Sequence, residues 1–217
     1  MKTFLSIGSG PGMGLATAER FAKEGFRVIL SARNSSKLDE LAAQLRAKGY
    51  SLEVRTVDAS KPESVAALIK GVEEQAGGID VLHYNAAAMR QATLADQPPE
   101  TFNSDLAVNI GGAMAAVQAA AGGMANRGLG TILLTGGGFA MQPHPDYLSL
   151  SIGKAGIRAL AQGLFEDFKD KGIHVATVIV AGFVNPGSKE ADTVADYFWQ
   201  LHAQPKQTWT VEHIYTP

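Results

Sequence analysis

The sequence has no cysteine, which removes disulfides, thiolate metal ligands and cysteine nucleophiles together. It also lacks a surplus of positive charge: 19 Lys and Arg stand against 21 Asp and Glu, a formal net charge of −2. Nucleic-acid-binding chains normally carry a basic excess, so no nucleic-acid partner is expected. The stretch Met1 to Ile7 before the first glycine is too short for a secretory core or a membrane span. The expectation is a cytoplasmic protein with no membrane partner and no metal site. No repeat, low-complexity tract or linker divides the 217 residues, and 46% apolar content can bury one substantial core, so residues 1–217 are expected to form a single domain.

The most informative segment present is Ser6-Ile7-Gly8-Ser9-Gly10-Pro11-Gly12-Met13-Gly14. Lys2 to Ile7 before it reads as a short buried strand, and Leu15 to Lys23 after it carries apolar residues at helical spacing. A glycine-rich turn between a strand and a helix places free amides and the positive end of a helix dipole where dinucleotide phosphates would sit. Gly8 permits the tight turn, Gly12 lets the backbone approach a pyrophosphate, and Gly14 allows close helix packing. Loops also use glycine merely to turn, and the triplet alone does not separate the two uses.

Further along, β-rich runs alternate with amphipathic helical stretches, the pattern of a parallel sheet covered on both faces. Strands are predicted at Arg27 to Ser31, Ser51 to Val57, Ile79 to Tyr84, Thr131 to Thr135 and His174 to Val180. Helices are predicted at about Ser36 to Lys48, Pro62 to Gln75, Pro99 to Asn126, Ser149 to Lys171 and Ala191 to His202. Right-handed crossovers then give an α/β, Rossmann-like, doubly wound sheet of order 3-2-1-4-5-6, with a seventh strand from about Thr208 to Ile214 at its edge.

These positions resemble the short-chain dehydrogenase/reductase family, whose nucleotide signature T-G-x-x-x-G-x-G stands here as Ile7 to Gly14 with Ile7 for threonine. Val57-Asp58 resembles the family's adenine-contacting acid after strand three, and Tyr84-Asn85-Ala86-Ala87 its N-N-A-G after strand four. Asn109 falls at the helix-four asparagine, Lys154 at the active-site lysine, and Ala181-Gly182 at the P-G motif. The resemblance implies a nicotinamide cofactor held by Gly8, Gly10, Pro11, Gly12, Met13, Gly14, Asp58, Asn85, Ala86, Lys154 and Gly182. Its form is argued from the end of strand two, where NAD-selecting enzymes place an acid. Ala32 and Arg33 stand there instead. A guanidinium clamps a 2′-phosphate that a carboxylate would repel, so NADP is favoured over NAD. A solvated strand-end arginine is the plainer alternative, and Lys37 reads as a surface lysine that could assist.

The resemblance fails where the chemistry should be. The family's Y-x-x-x-K pair has Leu150 four residues before Lys154, and the serine expected thirteen residues before the tyrosine is Gly137 within Gly136-Gly137-Gly138. Leucine has no proton to give and glycine no hydroxyl. Asn109 and Lys154 remain, and Tyr147, seven residues before Lys154, is the candidate substitute. With Asp146 as cap it would sit in the first helical turn, but its ring would lean away from Lys154. His144, Ser149, Ser151 and Thr135 are weaker candidates, and His83 reads as a core residue. The triple glycine leaves room for a bulky group, or for backbone amides to polarise a substrate oxygen.

The stretch after Gly182 is short, so Tyr197-Phe198-Trp199 with Leu201 is expected to form the apolar helix of a small lid. The alanine-rich pattern from Ala107 to Ala125 and the helix from Ser149 suggest a homodimer or homotetramer. Three functions follow. One is an NADP-dependent oxidoreductase acting on a small carbonyl or alcohol, with Tyr147 as proton donor. The second is a catalytically silent NADP(H)-binding sensor. The third is a lyase or isomerase, for which the sequence offers no positive sign.

Overall fold

The computed structural model describes residues 1–217, the side chain of Ser35 excepted. Strands β1 (Thr3–Ile7), β2 (Arg27–Ala32), β3 (Leu52–Thr56), β4 (Val81–Tyr84), β5 (Gly130–Thr135), β6 (Ile173–Val180) and β7 (Glu212–Tyr215) form one sheet of order β3-β2-β1-β4-β5-β6-β7. Every neighbouring pair is parallel. Helices α1 (Met13–Lys23), α2 (Ser35–Ala47), α3 (Pro62–Ala76), α4 (Glu100–Leu106), α5 (Gly112–Arg127), α6 (Leu148–Asp170) and α7 (Lys189–Ala203) cover it.

Both faces of the sheet are buried, which is why its strands read as apolar runs. On one face Leu5, Ile7, Leu82, Ile132, Leu134 and Val175 pack against α3, α5 and α6. On the other Phe4, Val28, Leu30, Leu133 and Val178 pack against α1, α2 and α7. Along β1 the side chains of Phe4 and Leu5 therefore go to opposite faces, the two-residue alternation of a strand.

Three expectations are corrected. The helix predicted from Pro99 to Asn126 is interrupted by a π-helical turn at Ala107–Gly111, which holds Asn109, 3% exposed. Just beyond it, a Cβ on Gly112 would overlap the Ala59 carbonyl, so the chain must come in close there. The residues from Tyr197 to Leu201 form no lid: Phe198 and Leu201 are buried in the core, and Trp199 meets Phe21 edge-on at 5.3 Å. The closing strand starts only at Glu212, because Lys206–Thr208 make a 3-10 turn and the Trp209 indole donates to the Gln204 carbonyl at 3.0 Å.

Candidate active site

The carboxyl ends of β1, β2, β4, β5 and β6 enclose a cavity of about 1040 Å³. The strand order reverses between β1 and β4, and the cavity opens at that switch point, where doubly wound sheets bind their ligands. Its volume lies at the top of the roughly 300–1,000 Å³ typical of single-ligand pockets.

The glycines at its floor divide by function. Gly8 takes φ +88°, and a Cβ there would overlap the Ala86 backbone. A Cβ on Gly14 would come within 3.1 Å of Asn85 Nδ2 and of the Gly8 carbonyl. These two glycines let β1, α1 and the loop after β4 close on each other. A Cβ on Gly10 would meet nothing within 4 Å, and one on Gly12 only the Val184 carbonyl at 4.0 Å. The space above them is open, and Gly8, Gly10 and Met13 line the cavity. The Gly8 and Ser9 amides donate to Ser31 O at 2.9 and 3.0 Å. The amides of Gly10, Met13 and Gly14 have no acceptor among the described residues, and no side chain caps α1. Unpaired donors at a helix N-terminus beside open space fit an anionic group.

Ala32 and Arg33 line the cavity at the end of β2, and Arg33 makes no ion pair among the described residues. Val57 and Ala59 line it on either side of Asp58. The Asp58 carboxylate accepts from Ser60 N and Oγ, bonds that hold its pKa below the usual carboxylate range. No Asp or Glu lines the cavity among the described residues.

A buried chain of hydrogen bonds crosses the sheet beneath this floor. Thr135 Oγ1 donates to Asn85 Oδ1 at 2.9 Å, and Asn85 Nδ2 donates to Gly8 O at 2.9 Å. Thr135 Oγ1 is therefore left to accept from His83 Nε2 at 3.1 Å, and His83 Nδ1 to accept from Ser6 Oγ at 3.3 Å. The register that pairs Ser6 with His83 across β1 and β4 brings these groups together. Burial pushes His83 down to about 3 and His202 down to about 4. A histidine held neutral in the fold binds protons only when unfolded, so stability is full above the unfolded pKa near 6.5 and falls as pH drops through that value. Acidification from pH 7.5 to 5 is expected to cost up to about 2 kcal/mol per histidine, read as a falling urea midpoint. An unchanged midpoint would contradict the neutral assignment.

Lys154, on α6, extends its Nζ to donate to Thr135 O at 2.6 Å, and burial pushes it down to about 8. Its alkyl stem runs beneath Gly137, where a Cβ would lie 3.2 Å from Lys154 Cγ. Gly136 and Gly138 are equally enclosed, by Ile179 and by Ala181. A side chain at any of the three would thus meet β6, the residues following it, or the lysine, while all three glycines line the cavity. Leu150, one turn before Lys154, is 4% exposed and lines the cavity. Asn109 clamps the Ala88 backbone, with Oδ1 accepting from Ala88 N at 2.7 Å and Nδ2 donating to Ala88 O at 3.2 Å.

Tyr147 lies against the lining residues Phe139, His144 and Phe183. It occupies the N-cap position of α6, outside the first turn, and does not line the cavity. Asp146 is not the cap: its carbonyl accepts from Ala92 N at 2.8 Å, and its amide donates to His144 Nδ1 at 3.2 Å. The Tyr147 ring stacks on Phe139 at 5.5 Å and meets His144 edge-on at 5.7 Å. Ser149 and Ser151 are internal, donating to Gln97 Oε1 at 2.7 Å and to Tyr147 O at 2.8 Å. Sequence reasoning missed the aromatic wall of Phe139, in the 3-10 turn Gly138–Ala140, and Phe183, in the loop after β6, two single residues far apart in the chain.

Comparison with known proteins agrees with this architecture. The family model described as short chain dehydrogenase matches residues 2–194. A glucose 1-dehydrogenase of Gluconobacter oxydans is 31% identical over 187 residues, covering 85% of this chain and 70% of that protein. A short-chain dehydrogenase from Rhodopseudomonas palustris superposes with a TM-score of 0.90 at 28% identity, over 100% of this chain and 98% of that one. A metagenomic short-chain oxidoreductase in complex with NADP gives a TM-score of 0.92 at 26% identity, over 100% of this chain and 97% of that one. The chain therefore belongs to the short chain dehydrogenase family of nucleotide-binding oxidoreductases.

Proposed function

We propose that this protein is an NADP(H)-dependent oxidoreductase that interconverts a carbonyl compound and its alcohol. The observation that carries the reading is the charge of the cavity: Arg33 and Lys154 line it, and no Asp or Glu does among the described residues. Such a site suits a polyanion and favours the form with a 2′-phosphate, and the NADP complex of the metagenomic relative supports the choice. When bound, the cofactor supplies or accepts a hydride.

The residues around it divide the remaining work. The amides at the start of α1, next to Gly10, Pro11 and Gly12, hold phosphates, and Arg33 holds the 2′-phosphate. Val57 and Ala59 flank the adenine, with Asp58 turned to Ser60. Asn85, Ala86 and Gly182 border the inner end. We place Leu150 and Gly137 at the positions of the family's tyrosine and serine, which leaves Lys154 as the proton-bearing side chain packed beside both positions. Below about pH 8 its ammonium can give a proton to the oxygen that becomes the alcohol hydroxyl; water then reprotonates it. Asn109 acts as a positioning residue through Ala88, and Tyr147 supports the wall behind Phe139.

Arg33→Ala is expected to weaken NADPH binding by about ten- to a hundredfold, the worth of charge-assisted bonds at about 1.5–3 kcal/mol, and to leave NADH binding nearly unchanged. Equal losses for both nucleotides would remove the 2′-phosphate assignment. A second reading, an NADP(H)-binding sensor without turnover, is favoured by one observation: the Lys154 ammonium already donates to Thr135 O. The two separate on whether NADPH is consumed when a carbonyl substrate is added. Self-association through α5 and α6 is part of the proposal. Met114 on α5 is 55% exposed and Ile152 on α6 51% exposed.

A further inference from the structure

The two halves of the cavity differ in chemistry. One part carries the glycine floor, Arg33 and Lys154. The mouth is built of hydrocarbon, thioether and aromatic surface: Met89 is 61% exposed, Met141 39% and Phe183 63%, and all three line the cavity together with Phe139 and Leu150. Large apolar side chains left to water around one opening mark a binding surface. Phe139 and Phe183 meet at 6.3 Å and 75°, an edge-to-face corner backed by Tyr147 at 5.5 and 5.9 Å from the two rings. A corner of two nearly perpendicular rings offers a flat guest one face and one edge.

Several polar side chains of the lining are bonded within the protein, while Gln142, Thr216 and His144 Nε2 make no side-chain bond among the described residues. Asn85 and Thr135 bond to each other at 2.9 Å, Ser9 Oγ donates to Ser6 O at 3.1 Å, and His144 Nδ1 accepts from Asp146 N at 3.2 Å. Gln142, Thr216 and His144 Nε2 stand beside a mouth of large apolar side chains and are too few for all the hydroxyls of a sugar or polyol, and a desolvated hydroxyl without a partner costs about 1–3 kcal/mol. From these contacts we infer that the substrate is a carbonyl compound, or its alcohol, bearing an aromatic substituent that the Phe139–Phe183 corner receives, and that polyols are excluded. The inference rests on the oxidoreductase reading and concerns the other end of the same cavity. It also sets this chain apart from its relative named a glucose dehydrogenase.

The test uses ligand-observed saturation-transfer NMR on the full chain, with 2-acetylnaphthalene as the aromatic ketone and D-glucose as the polyol, each with and without NADPH. The ketone is expected to bind in both states and glucose in neither. Phe183→Ala and Met89→Ala are expected to weaken the ketone by at least about fivefold, as truncated binding anchors do. Retained NADPH affinity in the variants reports an intact fold. Saturable glucose binding, or ketone affinity unmoved in both variants, overturns the inference. Ketone binding by a protein that takes up no NADPH upholds the aromatic mouth while removing the cofactor reading, so the two failures are distinct.

Discussion

Lys154→Met lowers turnover by about 10²–10⁴-fold, the range set by removing a positioned proton donor, while NADPH affinity changes far less. Methionine fills the channel beneath Gly137 with a stem of similar length, so the fold survives and the loss is chemical. The wild-type pH profile carries the same signature. Burial holds the ammonium near 8, so the rate of carbonyl reduction falls as pH rises through that value and the donor loses its proton. Alcohol oxidation, which needs the neutral amine, rises over the same window. In Lys154→Met both limbs disappear. Steady-state rates from pH 6 to 10 in each direction measure this. A profile that titrates near 8 in the variant as in the wild type would place the proton on another group.

The second large effect is on stability. Gly8→Ala puts a Cβ into the Ala86 backbone at φ +88°, where no flexible side chain can move aside. The left-handed backbone costs about 1–2 kcal/mol, and the overlap adds about 1–3 kcal/mol. A summed loss of about 2–5 kcal/mol is a large share of the roughly 5–15 kcal/mol that holds a protein folded. Gly10→Ala is the contrast. Its Cβ meets nothing within 4 Å, so stability should stay within about 0.5 kcal/mol. The added methyl enters the cavity instead and weakens nucleotide binding. Urea midpoints for the two variants, read beside NADPH affinities, show whether Gly8 serves packing and Gly10 the ligand. Equal midpoints would contradict that division.

The parts of this architecture that depend on local pattern were legible in the sequence. The first six strands of the sheet and the glycine turn announced themselves through apolar runs and spacing, and the order 3-2-1-4-5-6 followed from right-handed crossovers. Ala32-Arg33 was legible because its position relative to β2 is local. What remained hidden depends on contacts between distant segments. Nothing in the alanine-rich run marks the π-helical turn at Asn109, because its neighbour Gly112 answers to Ala59 on another element. Tyr147 was misplaced because the start of α6 is set by the pairing of Asp146 with Ala92. The lid expected at Tyr197 to Leu201 was a core helix, since apolar spacing alone does not say which surface a helix covers. The chain from Ser6 to Gly8 through His83 exists only in the observed strand register.

In the proposed function the cavity at the head of the sheet holds NADP(H) through the open end of α1 and Arg33. Both tryptophans, Trp199 and Trp209, stand away from the cavity lining, so the fluorescence of the nucleotide itself is the signal to follow. Titration of the purified protein with NADPH and, separately, NADH is the direct measurement. Saturable NADPH binding is expected, at least about tenfold tighter than NADH, the worth of about 1.4 kcal/mol at the 2′-phosphate. Tighter binding of NADH, or no binding of either nucleotide, would contradict it.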